Sequence, residues 1–508
     1  MKERTFRVKK IISKNLTKRK RKISKRLKKQ NWEAQTLPML KTTNIHYEMD
    51  GRHQGLAQGG IGLIHLLYQR IGLNKEIDKH IELLKKHVPY HESDHIANIA
   101  YNLLAGGQCL QDIEQLRNNE AWLDGLGASV IPDPTTSGDF LRRFKEQDII
   151  DLMDVKNTIR KRIWEKQPGH FKREAVVNID GTIDETTGEC KQGMDISYNG
   201  KWGYAPLIIS LGKTREPLYI INRSGNAPSH LGSAVWLDKT LDLLEGTFKK
   251  VIIRGDTDFS LTANFDKWDQ RCTFLFGIDA RKNLVALADG IPEFAWQLFE
   301  KPDPDATQGK SRKRPKNIKD QLVLDREFKK LTTECEHIAE FDYKPGKCAK
   351  PYRMIVLRKI IKATKGQLHL FDDTRYFFYI TNDWGHCAPE IVQFYRKRAD
   401  HENDIEQLKN GVKAIQSPSD SLLSNWAYMV AASLAWDLKA WYGLLMQNRS
   451  LGLRIIRMEF KRFIQTFIQI PCLIVKAGRK IIYRVVGYNE SLRDVFRFID
   501  FMKAFRFT

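Results

Sequence analysis

Two apolar segments of strand length, each ending in an aspartate, constrain the fold of this chain more than any other feature. The segments are Ala175–Asp180 and Val251–Asp256, and further strand-like runs and a helical pattern at Ala234–Leu244 lie between them. Short apolar runs that alternate with helices favour an α/β sheet covered on both faces. Ligands and metals gather at strand ends in such sheets, so Asp180 and Asp256 are candidate site residues.

The charge of the chain indicates a polyanionic partner. Lys and Arg number 84 against 61 Asp and Glu, a formal net charge of +23, which favours nucleic acid first and an anionic membrane surface second. Residues 1–30 hold 15 of these cations and one acid. So many like charges predict a flexible basic arm over residues 1–35 that binds phosphates.

Two further features of composition bear on location. The most apolar stretch, Trp426–Trp436, is well short of the ~20 residues of a membrane span, so we expect a buried helix and no membrane partner. The seven cysteines are scattered and include no C-x-x-C pair. This pattern favours a reducing cytoplasm over a disulfide framework or a cysteine zinc cluster.

Residues 36–170 have a helical pattern with Gly and Pro turns and basic residues, which suits a DNA-binding module and equally any small helical domain. Within it, His91–His95 has the zinc-protease pattern H-E-x-x-H, which requires both histidines inside one helix. Pro89 precedes the motif and Ser93 is a suitable helix cap. We therefore expect the histidines to straddle a helix start, with capping or packing roles.

The second half of the chain changes character twice. Residues 297–385 are predicted to be a β-rich insertion that begins with a basic loop at 301–319 and contains strands at Tyr352–Lys359 and Tyr376–Thr381. Helices are then predicted at Tyr395–Lys409 and Leu422–Met446.

The helix predicted at Tyr395–Lys409 presents a chemically rich face. At ~100° per residue, four of its side chains fall within about 60° of one another. They are Tyr395, Arg398, Glu402 and Lys409. An aromatic ring, a guanidinium, a carboxylate and an ammonium would then share one face, although a solvated charged face has the same pattern.

Cleavage of a phosphodiester explains why these groups would occur together. The reaction needs an activated oxygen nucleophile and a stabilised leaving oxygen, and two Mg²⁺ ions supply both. Carboxylate oxygens are the ligands that Mg²⁺ prefers. Arg398 would bind a flanking phosphate as a fork and Lys409 as a point charge.

These fragments resemble the three signatures of bacterial insertion-sequence DDE transposases. The fragments are Asn178–Thr182, Ile253–Phe259 and Tyr395-x2-Arg398-x3-Glu402-x6-Lys409. The last fits the pattern Y-(2)-R-(3)-E-(6)-K at all four positions. The long gap from Asp256 to Glu402 fits the branch with a β insertion, and His91–His95 and Ile131–Thr136 are similar to fragments of the thirteen-eighty group of insertion sequences.

The resemblance covers most of the chain after about Thr36 and implies a domain organisation. It implies a ribonuclease-H-like catalytic core, with its first part at 171–296 and its last helix at 386–421. The helical domain at 36–170 would recognise terminal inverted repeats. The helical region at 422–508 would be available for dimerisation.

The resemblance also implies an activity and its residues. The activity is cut-and-paste cleavage and strand transfer of double-stranded DNA with Mg²⁺, for which Mn²⁺ can substitute, in the bacterial cytoplasm at the nucleoid. The implied catalytic and metal-binding residues are Asp180, Asp256 and Glu402. The implied DNA-binding residues are Tyr395, Arg398 and Lys409.

Some alternatives stay open at this point. A metal-dependent nuclease without strand transfer would use the same residues, and a non-catalytic DNA-binding protein derived from a transposase would not need them. Asp258 and Asp279 compete with Asp256 for the second position, which Asp256 takes because it directly follows the apolar strand. A homodimer on DNA is expected, with its contacts at Phe460, Phe463, Phe467 and Phe496.

Overall fold

The computed structural model describes residues 2–28, 39–40, 42, 44–188, 190–300, 329–365 and 368–507. For residues 2–10, 329–334, 363–365 and 368–372 it describes the backbone only. The described residues up to Lys166, within Gly188–Gln192 and from Glu406 onward form one compact unit, which we call the helical unit. Those of Gln167–Thr187 and Gly193–Ile405 form a second, the sheet unit.

The helices, in chain order, are α1 (Lys2–Arg26), α2 (Ile61–Arg70), α3 (Leu73–His80), α4 (Glu92–Ala105), α5 (Ile113–Arg117), α6 (Glu120–Leu126), α7 (Pro134–Leu141), α8 (Glu146–Glu165), α9 (Ser233–Leu244), α10 (Phe265–Asp269), α11 (Lys282–Asp289), α12 (Ala388–Arg396), α13 (Ala399–Glu406), α14 (Leu422–Leu444), α15 (Arg449–Arg457), α16 (Phe460–Phe463) and α17 (Leu492–Ala504).

The strands, in chain order, are β1 (Gln54–Leu56), β2 (Glu174–Gly181), β3 (Asp184–Glu185), β4 (Asp195–Ile196), β5 (Trp202–Tyr204), β6 (Leu207–Leu211), β7 (Glu216–Ile221), β8 (Lys250–Gly255), β9 (Thr273–Ile278), β10 (Gln297–Leu298), β11 (Lys329–Tyr343), β12 (Tyr352–Lys365), β13 (Leu368–Thr381), β14 (Cys472–Ala477) and β15 (Lys480–Val485).

The sheet unit is built on a nine-stranded mixed sheet in the order β10-β11-β12-β13-β9-β8-β2-β6-β7. The neighbours β2, β8 and β9 run parallel, and β6 pairs with β2 antiparallel. The central strands are apolar on both faces, and Val177, Ile179 and Ile253 are fully buried. The predicted α/β class is confirmed, with the sheet mixed because antiparallel strands flank the parallel centre.

The strands of the predicted β-rich segment at 297–385 extend this same sheet. β13 pairs with β9, where Phe378 lies opposite Ile278, and β12 and β11 follow outward in antiparallel register. The basic loop predicted at 301–319 lies outside the described residues. The segment is therefore continuous with the sheet that carries the two aspartates.

The helical unit is organised around α14, which is buried from Ser424 to Leu444 as predicted. It packs against α4, α8 and α15. One carboxylate inside it, Asp437, pairs with Arg160 at 2.8 Å and Lys156 at 2.9 Å, so the buried charge is compensated. Across the described part of the chain, no helix is both long and apolar enough to span a membrane.

The region after α14 contains a hairpin, so the prediction of a purely helical C-terminal region is wrong. β14 and β15 pair with each other, and β1 from the N-terminal part adds a third strand, with Gly55 opposite Leu473. The run Lys480–Val485 is rich in β-branched and aromatic residues, which favour strands. The tight turn uses Gly478 at φ +58°, a conformation that suits glycine.

Residues 2–26 of the predicted flexible arm form helix α1 instead, and residues 29–35 of that arm lie outside the described residues. Among the α1 side chains that the structure describes, from residue 11 on, the half-buried ones are Ile12, Leu16 and Arg19, and their spacing of four and three residues places them on one helical face. The guanidinium of Arg19 donates to the carbonyls of Val485 at 3.1 Å and Gly487 at 2.7 Å. The prediction considered only the repulsion between cations and missed this partly buried face.

The partner surface predicted from the phenylalanines is also wrong for three of them. Phe460, Phe463 and Phe467 are buried, and the ring of Tyr442 lies 5.9 Å from Phe463 and 5.4 Å from Phe467. Phe496 is half-buried. The alternation of aromatic and basic residues marks one buried and one solvated helix face.

The H-E-x-x-H residues take the structural roles expected for them. His91 is the N-cap of α4, and its N–H donates to Asp94 at 2.9 Å. His95 lies inside the helix with its ring stacked 4.3 Å from that of Phe140. Ser93, which we predicted as the cap, instead bonds the carboxylate of Asp78 through its N–H and hydroxyl, both at 2.9 Å.

Candidate active site

Asp180 and Asp256 lie side by side because their strands pair in parallel. Asn178 on β2 is opposite Arg254 on β8, so two residues further along each strand the two aspartates reach the same edge of the sheet. The carboxylate of Asp180 accepts the N–H of Gly181 at 2.9 Å. That of Asp256 accepts the N–H of Asp258 at 3.1 Å.

Both carboxylates are held where ionisation is unfavourable. Burial raises the pKa of Asp180 to about 6, with the guanidinium of Arg398 opposing this rise and the charge of Asp256 adding to it. Burial also raises the pKa of Asp256, again against Arg398 and with help from Asp258. Clustered buried carboxylates with raised pKa values are typical of functional sites.

The pKa of Asp180 predicts how stability depends on pH. The ordinary pKa is 3.8, so between about pH 4 and 6 the folded carboxyl holds a proton that the unfolded chain has released. Folding stability should therefore fall as the pH rises through this window. Asp180→Asn cannot titrate, and its melting temperature in EDTA should lack this part of the fall. Equal pH slopes for both proteins would contradict the assignment.

Arg398 joins the first aspartate to the third carboxylate. Its Nη1 lies 2.7 Å from Oδ2 of Asp180 and its Nη2 lies 3.0 Å from Oε1 of Glu402. The side chain of Glu402 is 59% exposed, compared with 15% for Asp180 and 17% for Arg398. The guanidinium thus holds a buried and an exposed carboxylate together.

The single helix predicted over Tyr395–Lys409 is wrong, because the chain breaks between α12 and α13. The N–H of Arg398 donates to the carbonyl of Tyr395 at 2.8 Å, and the N–H of His401 donates to that of Arg398 at 2.8 Å. Both are tight i to i+3 bonds rather than α-helical ones. Arg398 lies in the break and points at Asp180, and Glu402 is the fourth residue of the new helix α13.

Arg254 explains this break. Its guanidinium donates to the carbonyl of Phe394 and, at 3.4 Å, to that of Lys397, the two acceptors that a continuous helix would offer to Arg398 and His401. Its Nε donates to Oδ1 of Asn178 at 2.9 Å, and its guanidinium lies 4.8 Å from the ring of Phe394. Arg254 therefore ties α12 to the two aspartate-bearing strands.

Tyr395 packs beside the carboxylates on the sheet. Its hydroxyl would lie 2.9 Å from a Cβ added to Gly277, so a side chain at Gly277 would displace it. Its ring lies 4.6 Å from that of Tyr379. Burial raises the pKa of Tyr395, and the nearby Arg398 opposes that rise.

Lys409 is placed differently from the other predicted site residues. It lies in a π-helical turn at Gln407–Gly411, which belongs to the helical unit. The sheet unit itself brings together Asp180, Asp256, Arg398, Glu402 and Tyr395. That Lys409 shares a face with the other three side chains stays a prediction.

The arrangement is suited to a hard cation. Two adjacent half-buried carboxylates and an exposed third one offer oxygen ligands, which Mg²⁺ and Mn²⁺ prefer. Burial is the main cause of the raised pKa values of Asp180 and Asp256, and repulsion from neighbouring carboxylates adds to it against the attraction of Arg398. A divalent cation would relieve this repulsion.

A protein-family model described as Transposase DDE domain group 1 matches residues 37–500. The chain belongs to the DDE transposase family. Transposases of this class generally use divalent metal ions, in agreement with the donor set described above. A search of curated proteins found no match.

Among solved structures, the transposase is similar to the cryo-EM structure of a piggyBac transposase synaptic complex with hairpin DNA. The TM-score is 0.37 and the identity 11%, over 81% of this chain and 81% of that chain. At that TM-score the likeness is distant.

Sequence reasoning missed Arg254 in this transposase. The available signal was a single arginine at the end of the otherwise apolar run Val251–Ile253, directly before the glycine and aspartate of the second signature. A charged side chain that is 4% exposed needs partners. It finds them in Asn178 and in the carbonyls at the helix break.

Proposed function

We propose that this transposase moves a bacterial insertion sequence of the thirteen-eighty group by cut-and-paste, binding the terminal inverted repeats and joining the cleaved ends to target DNA. One observation carries the proposal. Asp180 and Asp256 end adjacent parallel strands, and Arg398 links Asp180 to Glu402 at 2.7 and 3.0 Å. The sheet unit is then a ribonuclease-H-like catalytic core, and residues 36–170 recognise the repeats.

Asp180, Asp256 and Glu402 would hold the metal ions, with Mg²⁺ the expected species and Mn²⁺ able to substitute. When bound, such ions activate the attacking oxygen and stabilise the leaving oxygen of a phosphodiester. The chain's own contribution is to position the three carboxylates. Arg254 serves this role by fixing α12 against the strands, as a positioning residue.

Arg398, Tyr395 and Lys409 are proposed to bind DNA. The planar fork of Arg398 can bind two phosphate oxygens at once, whereas an ammonium such as that of Lys409 acts as a point charge. Arg398 lies beside the carboxylates, so a phosphate that reaches them also reaches its guanidinium. Tyr395 supports Arg398 from the sheet side.

We also propose that the active species is a homodimer on DNA. Joining two ends at one target is most simply done by a symmetric pair of protomers, each with one active site. Two chains of charge +23 repel each other, and DNA between them would offset this repulsion. The proposal is tested by light scattering, and a one-protomer, one-end complex that completes joining would contradict it.

Helix α1 is expected to add sequence-independent affinity for DNA. Its cations Lys18, Lys20, Arg21 and Lys22 are exposed, while Arg19 anchors the helix. Replacing these four with Gln should reduce the slope of log K against log[salt] by about 0.9 for each lost phosphate contact. The preference for element ends over random duplex should persist. An unchanged slope in a salt titration would show that α1 does not contact DNA.

The function is tested with a supercoiled plasmid that carries the element between its inverted repeats. The purified full-length protein with Mg²⁺ should release the element and join it to a second plasmid, and sequencing should find a short duplication at each new junction. Specific cleavage without joined products would support the nuclease alternative instead. Binding without cleavage in Mg²⁺ or Mn²⁺ would support the non-catalytic alternative.

A further inference from the structure

Three potential metal ligands converge next to helix α4, in the helical unit and apart from the carboxylate site. They are His87 and His91, from the segment between α3 and α4, and Glu92, the first residue of α4. One potential ligand atom from each lies within 4.8 Å of the other two. Within the described part of the chain, no other group of three or more His, Cys, Asp or Glu side chains has its potential ligand atoms this close together.

Glu92 is oriented as metal-binding carboxylates often are. Its side chain is 2% exposed, and its Oε1 accepts the N–H groups of Leu83 at 3.0 Å and Leu84 at 2.9 Å. Burial alone would raise the pKa of Glu92, but these hydrogen bonds and the one from His87 lower it. Its Oε2 faces Nε2 of His87 at 3.0 Å. Hydrogen bonds of this kind fix a ligand before a metal binds.

The two histidines are accessible and close together. The rings of His87 and His91 are stacked with centroids 4.2 Å apart and planes 10° from parallel. Both residues are exposed, and one ring nitrogen of each lies within 4.8 Å of the other and of a Glu92 carboxylate oxygen. The Glu92 carboxylate is therefore held in place, whereas the exposed histidine side chains can change conformation.

We propose that His87, His91 and Glu92 bind one Zn²⁺ ion, with water as the fourth ligand. Two imidazoles and one carboxylate are a common zinc donor set, whereas Mg²⁺ prefers oxygen ligands throughout. The ion would fasten the segment between α3 and α4 to the start of α4. It would not be a protease centre, because His95 is stacked on Phe140 and Glu92 is a ligand rather than a base.

The proposal is tested by titrating metal-stripped full-length protein with Zn²⁺ by calorimetry and with Co²⁺ by visible absorption. The wild type should bind one Co²⁺ with the strong bands of a four-coordinate nitrogen-containing site, unlike the weak bands of an all-oxygen six-coordinate site. His87→Ala and His91→Ala should lose these bands. Their Zn²⁺ affinity should fall by more than the about 10–100-fold that loss of a hydrogen-bonding partner of a ligand costs.

Two control variants separate this site from the rest of the protein. His80→Ala removes a half-exposed histidine on α3 and should leave Zn²⁺ binding unchanged. Asp180→Asn should keep both the Co²⁺ bands and the rise in melting temperature with Zn²⁺, because the carboxylate site is separate. Equal Zn²⁺ affinity in the wild type, His87→Ala and His91→Ala would overturn the proposal and leave the transposase function untouched.

Discussion

Replacing any one of Asp180, Asp256 and Glu402 with its amide should abolish DNA cleavage while specific DNA binding persists. Each change removes one ligand charge and almost no volume. The loss should exceed the about 10²–10³-fold that removal of one electrostatic group from an active site costs. Gel assays of cleavage and binding on element-end DNA measure both quantities with the same preparations.

Asp258→Asn is the matched control for this experiment. Asp258 is two residues from Asp256 and exposed, and its N–H, which the change preserves, donates to Asp256 at 3.1 Å. It should retain most of the activity. An inactive Asp258→Asn beside an active Asp256→Asn would mean that the second ligand is assigned to the wrong aspartate.

Arg398→Gln should lower the stability of the metal-free protein and increase the stabilisation that Mn²⁺ provides. The change removes the charged hydrogen bonds that Arg398 donates to Asp180 and Glu402. The negative charges of these two carboxylates then lack the positive charge of the guanidinium. The free energy of unfolding should fall by about 1–3 kcal/mol. Mn²⁺ should then restore more stability to this variant than it adds to the wild type, because the ion replaces the lost positive charge. Melting curves in EDTA and in Mn²⁺ measure both effects.

Arg396→Gln is a matched control, with the same charge change two residues earlier. Arg396 pairs with Glu336 on β11 and not with the carboxylate site. It should lose stability equally in EDTA and in Mn²⁺. If Arg398→Gln and Arg396→Gln responded alike to Mn²⁺, Arg398 would not be balancing the charge of a metal site.

Arg398→Ala should also weaken the binding of cleaved DNA ends more than the binding of random duplex.

The strands that carry the aspartates could be predicted because the information is local. Val177, Ile179 and Ile253 belong to short, nearly continuous apolar runs, and such runs form strands that are buried on both faces. Once these strands are placed, the carboxylates at their ends follow. Arg398 and Glu402, four residues apart, are also adjacent as predicted, because Arg398 lies directly before α13 and Glu402 lies in the first turn of that helix.

The break between α12 and α13 could not be predicted in this way. It depends on Arg254, which is more than 140 residues earlier and reaches the carbonyls of Phe394 and Lys397 only in the folded chain. Helical periodicity alone therefore predicted one continuous helix. The pairing of β14 with Gln54–Leu56 is also long-range, since it spans most of the sequence. The β14–β15 hairpin is local, and the prediction overlooked the β-branched run Lys480–Val485.

The most direct test of the carboxylate site is anomalous diffraction from crystals of the protein with element-end DNA and Mn²⁺. We predict anomalous peaks beside the carboxylates of Asp180 and Asp256, with Glu402 among the ligands and Arg398 turned from Asp180 toward a phosphate. Crystals of the Asp180→Asn variant with the same DNA and Mn²⁺ should lack these peaks. Mn²⁺ bound elsewhere in crystals that cleave their DNA, with these three carboxylates free of metal, would contradict the account.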